Sequence, residues 1–116
     1  THDWMRDVLA KRLASEHGTE NVHVERSTQH GKSIDLVVQV EDGEWFYEVK
    51  PFSEPRLCFR KAIGQLLEYA YWSDSEAPER LIVVGKSELG SRGEAYLSTL
   101  RERFSLPLEY QSVQIG

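Results

Sequence analysis

The chain has one cysteine, Cys58, in 116 residues. A lone thiol excludes an internal disulfide and a cysteine-based zinc site, and it fits a reducing, cytoplasmic compartment. We expect Cys58 to be a small buried hydrophobic residue. No apolar run is long enough to cross a bilayer and no secretory signal pattern is present, so we expect no membrane association.

Basic residues are outnumbered, because 14 Lys and Arg stand against 19 Asp and Glu, for a net charge of −5. This balance counts mildly against a free-standing nucleic-acid binder, which needs cations to neutralise phosphates. The distribution is uneven, however. Arg56, Arg60 and Lys61 lie in a segment without acids, so the net charge is weak evidence.

The length and the 40% hydrophobic content predict a single globular domain over residues 1–116. The sequence begins at Thr1 rather than methionine, which leaves a processed chain, a trimmed chain or a domain of a larger protein as open alternatives. No repeats or low-complexity segments occur.

Hydrophobic periodicity predicts the order α-β-β-β-α-β-α-β. Helices are expected at 3–16, 56–72 and 91–104; strands are expected at 22–26, on both sides of the turn at residues 42–43, at 81–84 and at 106–111. Gly18 ends the first helix, and Pro51 and Pro55 break the chain before the second. This order predicts an α/β fold with three layers, in which helices flank a mixed sheet.

The hairpin carries the most informative residues. Asp42-Gly43 between two runs of strand formers predicts a type I′ turn, because glycine and aspartate tolerate the positive φ that this turn needs. A two-residue loop there pairs Glu41 with Glu44. It would place Asp35 opposite Lys50 and Val37 opposite Glu48, so that Asp35, Glu48 and Lys50 share one face.

These three charged residues stand in largely apolar strands, where a carboxylate is costly unless it is paired or bound to a metal. One interpretation is a salt bridge from Lys50 to Asp35 or to Glu48 at the end of the sheet. The other is a site for a hard divalent cation.

The chain resembles the PD-(D/E)xK nuclease superfamily, whose fold is restriction-endonuclease-like. The resemblance covers nearly the whole chain by element order. At the residue level it consists of Asp35, the trio Glu48-Val49-Lys50, and Gln65 with Tyr69 on the following helix, which is similar to the Gln-x-x-x-Tyr motif of RecB-like nucleases. One departure is Ile34, which stands where the superfamily often has proline.

The resemblance implies that Asp35, Glu48 and the carbonyl of Val49 ligate Mg²⁺, for which Mn²⁺ would substitute. Lys50 would position or activate the attacking water, and Gln65 would contact Lys50 or the phosphate. Superfamily members often add an acid from the first helix, for which Asp7 is our candidate and Asp3 and Glu16 are its competitors.

Other basic and polar residues are candidates for nucleic-acid contact, although each is also consistent with ordinary surface. They are Lys61, Tyr69, Arg56, Arg60, His30 and Lys32. His2, His17 and His23 lack the spacing of metal ligands, and we interpret them as structural or surface residues.

The resulting hypothesis is a Mg²⁺-dependent nuclease acting on DNA in defence, restriction or repair, with RNA as an alternative substrate. Target specificity would come from a fused domain or partner, and a homodimer is an alternative assembly. A second hypothesis is a domain of the same fold that binds nucleic acid or protein without cleaving. A third is an interaction module whose charged trio is a structural ion-pair network.

Overall fold

The computed structural model describes residues 2–28 and 33–114, which form helices and strands in the predicted order. The helices are α1 (His2–His17), α2 (Pro55–Tyr71) and α3 (Gly90–Phe104); the strands are β1 (Val22–Ser27), β2 (Ser33–Val40), β3 (Gly43–Val49), β4 (Arg80–Gly85) and β5 (Leu108–Ser112). A short 3₁₀ turn, Thr19–Asn21, joins α1 to β1. Within the described ranges, no helix is long and apolar enough to cross a membrane.

The five strands form one mixed sheet in the order β1-β2-β3-β4-β5. The first three strands are antiparallel neighbours, and β3, β4 and β5 are parallel neighbours. Parallel neighbours need a long crossover, which α2 supplies between β3 and β4 and α3 supplies between β4 and β5. The predicted mixed sheet is therefore confirmed.

Side chains that alternate along the strands divide the core into two parts, one on each side of the sheet. Val37, Phe46 and Leu81 pack with α2 and α3, whereas their neighbours Leu36, Tyr47 and Ile82 pack with α1. The central strands are apolar on both faces because both faces are covered. The fold is thus the predicted three-layer α/β arrangement.

The helix boundaries follow from local chemistry. Pro55 is the first residue of α2, where its missing N–H would have had no partner inside the helix. Helix α3 ends at Phe104, and the next residue, Ser105, adopts a left-handed conformation with φ of 53°. Cys58 lies buried in α2, as expected.

The predicted register of the β2–β3 hairpin is wrong by two residues. Glu44 pairs with Gln39 rather than with Glu41, so the loop is Glu41-Asp42 and Gly43 already belongs to β3. Among the described residues, neither loop residue nor Gly43 has a positive φ, so the turn is not type I′. Asp42-Gly43 was therefore a misleading turn signal.

Gly43 lies close to the segment that enters β4. A Cβ at this position would lie 3.3 Å from Cγ of Glu79, whose N–H donates to the carbonyl of Glu44 at 2.8 Å. A larger residue at position 43 would therefore require a small shift of the exposed Glu79 side chain.

Candidate active site at the ends of β2 and β3

Asp35 and Glu48 lie side by side where the regular pairing of β2 with β3 ends. The last regular pair is Leu36 with Tyr47, so the next position in the same register sets Asp35 opposite Glu48. The predicted partners of these residues, Lys50 and Val37, do not face them, because Val37 pairs with Phe46. The correction shifts the register by an even number of residues, and it therefore leaves the predicted face unchanged.

Each carboxylate accepts a backbone hydrogen bond from the opposite strand. The N–H of Val49 donates to Oδ2 of Asp35 at 2.8 Å, and the N–H of Asp35 donates to Oε1 of Glu48 at 3.2 Å. The two carboxylates thereby accept hydrogen bonds from backbone N–H groups, in place of the carbonyl acceptors of a regular ladder. These hydrogen bonds hold the two carboxyl groups beside each other.

Glu48 is the one buried charged side chain of the described residues, with 2% exposure. Burial, and after it the negative charge of Asp35, raise the pKa of Glu48 to about 8. The N–H of Asp35 and the charge of Lys50 act in the opposite direction and are weaker. The site therefore holds two acidic groups that cannot both be ionised cheaply without a nearby cation.

Lys50 follows Glu48 and Val49 directly and is held by helix α2. Its Nζ donates to Oε1 of Gln65 at 2.6 Å, and Nε2 of Gln65 lies 3.5 Å from the hydroxyl of Tyr69. Burial and the charge of Glu48 raise the pKa of Tyr69. Gln65 thus contacts Lys50, as the resemblance implies, and Tyr69 lies one helical turn further along α2, next to Gln65.

Lys50 and Glu48 form the ion pair that the salt-bridge interpretation names, but the pair is long. Nζ of Lys50 is 3.8 Å from Oε2 of Glu48, much farther than from the neutral oxygen of Gln65. By contrast, Arg26 forms a short ion pair with Glu44, and Arg80 forms one with Glu109. The trio does not resemble these structural pairs.

His2 is a site residue that the sequence interpretation missed. Its Nε2 lies 3.1 Å from Oδ2 of Asp35, at the N-terminus of α1. The buried residues of this helix are Met5, Leu9 and Leu13. Because His2 precedes Met5 by three residues, it extends the same buried stripe, which is the signal that could have identified it.

Asp7 lies elsewhere. Its side chain is 61% exposed and bonds to Arg6 at 3.3 Å. Two residues after Met5 and two before Leu9, it lies on the side of α1 away from the sheet. Of its competitors, Asp3 is bonded to His2 and Arg6, and Glu16 lies at the far end of the helix near His17.

The remaining candidates for nucleic-acid contact fall into two groups. Lys61, Arg56 and Arg60 are exposed on α2. His30 and Lys32 lie outside the described residues. The structure therefore brings together Asp35, Glu48, Lys50, Gln65 and Tyr69 from the predicted set and adds His2.

The oxygen atoms of the site match the ligands that Mg²⁺ prefers. Two adjacent carboxylates suit a cation that binds through one or two carboxylates and completes its shell with water and phosphate. Val49, whose carbonyl is the third predicted ligand, is tied to Asp35 through its N–H. In the part of the chain that the structure describes, no group of three or more His, Cys, Asp or Glu side chains is arranged to hold a metal. Asp35 and Glu48 are thus fewer donors than a closed structural metal site contains.

No protein-family model, curated protein or solved structure matches the chain. The resemblance to PD-(D/E)xK nucleases therefore stays a prediction from the residues, and the function must be argued from the site.

Proposed function

We propose that this protein is a magnesium-dependent nuclease of the PD-(D/E)xK type that hydrolyses phosphodiester bonds in DNA. The observation that carries the proposal is the juxtaposition of Asp35 with the buried Glu48, while Lys50 is held beside them by Gln65. Burying a carboxylate next to another one destabilises a fold. The buried Glu48 beside Asp35 is therefore better explained by a role in ligand binding than by a role in stabilising the fold.

Each residue has a distinct role in this proposal. Asp35 and Glu48 would hold the cation, which would neutralise charge on the scissile phosphate and lower the pKa of the attacking water. Lys50 would orient that water or donate to a non-bridging phosphate oxygen. Gln65 would keep the Lys50 nitrogen in place, and Tyr69 would in turn orient the Gln65 amide.

The experiment that tests this proposal is a cleavage assay with Mn²⁺ or Mg²⁺ on single-stranded, double-stranded and circular DNA, and on RNA. We expect Lys50→Ala to fold and bind the cation but to lose cleavage, since the lost nitrogen does not ligate the metal. Lys11→Ala, which removes an exposed lysine from α1, is the matched control and should cut like the wild type. Equal cleavage by Lys50→Ala and the wild type would refute the mechanism.

A second candidate function is a domain of this type that binds nucleic acid or protein without cleaving. The observation that favours it is the small donor set, which lacks a third acidic or imidazole ligand among the described residues. DNA binding without cleavage under any divalent cation, unaffected by Asp35→Ala, would support this alternative. The single cysteine is consistent with a cytoplasmic location for either function.

A further inference from the structure

A second polar feature lies on the opposite side of α2 from Gln65. A groove of about 750 Å³ runs between α2 and α3, and its lining includes Phe59, Leu89 and Tyr96 together with Arg56, Arg60 and Arg92. No acidic side chain of the described residues lines it. Three guanidinium groups thus line one groove of a chain whose net charge is −5.

These arginines differ from the structural arginines of the fold. Arg6, Arg26 and Arg80 each contact a carboxylate on a different helix or strand, and these pairs tie the elements of the fold together. Over residues 2–28 and 33–114, by contrast, Arg60 and Arg92 have no ion-pair partner.

Arg56 has only a distant contact, 3.8 Å to Glu54, and both side chains are largely exposed. An exposed pair at that distance contributes little. The charge of the groove is therefore uncompensated within the described chain and favours an anionic ligand.

The groove also offers an aromatic surface. The side chain of Tyr96 is 47% exposed, and its ring packs edge-on against the buried Phe59 at a centroid distance of 5.6 Å. Arg56 and Arg60 are four residues apart and therefore lie one turn apart along one wall, with Arg92 on the other helix. A row of cations beside an exposed, supported ring is the combination that binds single-stranded nucleic acid.

We propose that the groove between α2 and α3 binds a single strand of nucleic acid, with phosphates on Arg56, Arg60 and Arg92 and a base against Tyr96. The inference rests on the proposed function in one respect, because the single strand in the groove is taken to be the substrate of the proposed nuclease. The groove and the candidate site share α2, which begins five residues after Lys50 and carries Gln65 on its other side.

Binding can be tested separately from cleavage by fluorescence anisotropy with labelled oligo(dT) in EDTA. Arg60→Gln combined with Arg92→Gln should weaken binding at low salt about tenfold or more. Each lost phosphate contact should reduce the slope of log affinity against log salt by about 0.7, so the double variant should lose about 1.4. Lys11→Gln combined with Arg12→Gln removes two exposed charges from α1 and should leave affinity and slope unchanged.

The aromatic contact has its own matched pair of variants. Tyr96→Leu should weaken binding of oligo(dT) about fivefold or more, the lower end of the effect of a lost stacking platform. Tyr71→Leu is the control, because Tyr71 is equally exposed, at 48%, and lies outside the groove.

The outcomes separate this inference from the proposed function. Oligo(dT) binding that is lost in the groove variants supports the inference even if the wild type cuts nothing, in which case only the nuclease fails. Wild-type affinity in the groove variants of an active nuclease overturns the inference alone. Equal affinity for duplex DNA, or equal displacement by polyglutamate of matched charge, also overturns it, since either shows recognition of charge without a single strand.

Discussion

Replacing Glu48 with glutamine should stabilise the metal-free protein, with an effect that depends on pH. The pKa of Glu48 is about 8 in the folded chain and near 4.5 in its ordinary state. A carboxyl group whose folded pKa is raised binds its proton more tightly in the folded state. The stabilising contribution of Glu48 to the free energy of unfolding is therefore fully present below about pH 4.5 and is lost progressively as the pH rises through about 8. Glutamine does not titrate, so Glu48→Gln should escape this loss.

The size of the effect follows from the shift. Each pKa unit corresponds to about 1.4 kcal/mol, which sets an upper limit on the order of 3 kcal/mol at neutral pH. The variant loses the 3.8 Å attraction between Lys50 and Glu48 but keeps an oxygen that accepts the N–H of Asp35. We therefore expect a gain of about 1–3 kcal/mol, or a melting temperature higher by roughly 5 °C or more in a chain of this size.

Thermal unfolding in EDTA at about pH 5 and about pH 8 measures this effect. The difference between Glu48→Gln and the wild type should be small at the lower pH and large at the higher one. Glu44→Gln is the control of opposite sign, because the hydrogen bond from Arg26 lowers the pKa of Glu44. A melting temperature of Glu48→Gln at or below that of the wild type at about pH 8 would refute the proposed electrostatics.

Three further variants test the rest of the site and the core. Asp35→Asn should abolish the rise in melting temperature that Mg²⁺ gives the wild type, since binding to the folded state alone stabilises it; a retained rise would place the cation elsewhere. Gln65→Leu should lower cleavage about tenfold without changing that rise, because it releases the Lys50 nitrogen from its 2.6 Å bond; an unchanged rate would remove Gln65 from the mechanism. Leu66→Ala should cost about 2–5 kcal/mol in urea unfolding, because Leu66 is fully buried, whereas the half-buried Leu67→Ala should cost less.

The order of elements was predictable because each is marked by its own periodicity. The apolar run Leu81-Ile82-Val83-Val84 becomes β4, buried on both faces, and Pro55 opens α2 within one residue of the expected start. The hairpin register was not predictable from its turn, since the strands pair through Glu41-Asp42 with no positive φ. Gly43, which local propensity assigned to the turn, instead lies in β3 next to the side chain of Glu79.

The candidate site survived this error for a geometric reason. Side chains alternate with a period of two, so an error of two residues changes which residues are opposite but not which face they share. Asp35 therefore lies directly beside Glu48. Lys50 does not pair with Asp35 as predicted, but donates a hydrogen bond to Gln65. An error of one residue would have separated the carboxyl groups.

In helix α1, the charge of a residue does not show whether its side chain faces the sheet. Asp7 is the acid that the resemblance favours on α1, yet it lies between Met5 and Leu9 on a helix whose buried side is defined by those two residues. A side chain at that position points away from the sheet whatever its chemistry. His2 lies in register with the buried stripe and reaches Asp35 across 33 residues of sequence. On α1, the polar residue that continues the apolar stripe is therefore the one that reaches the site.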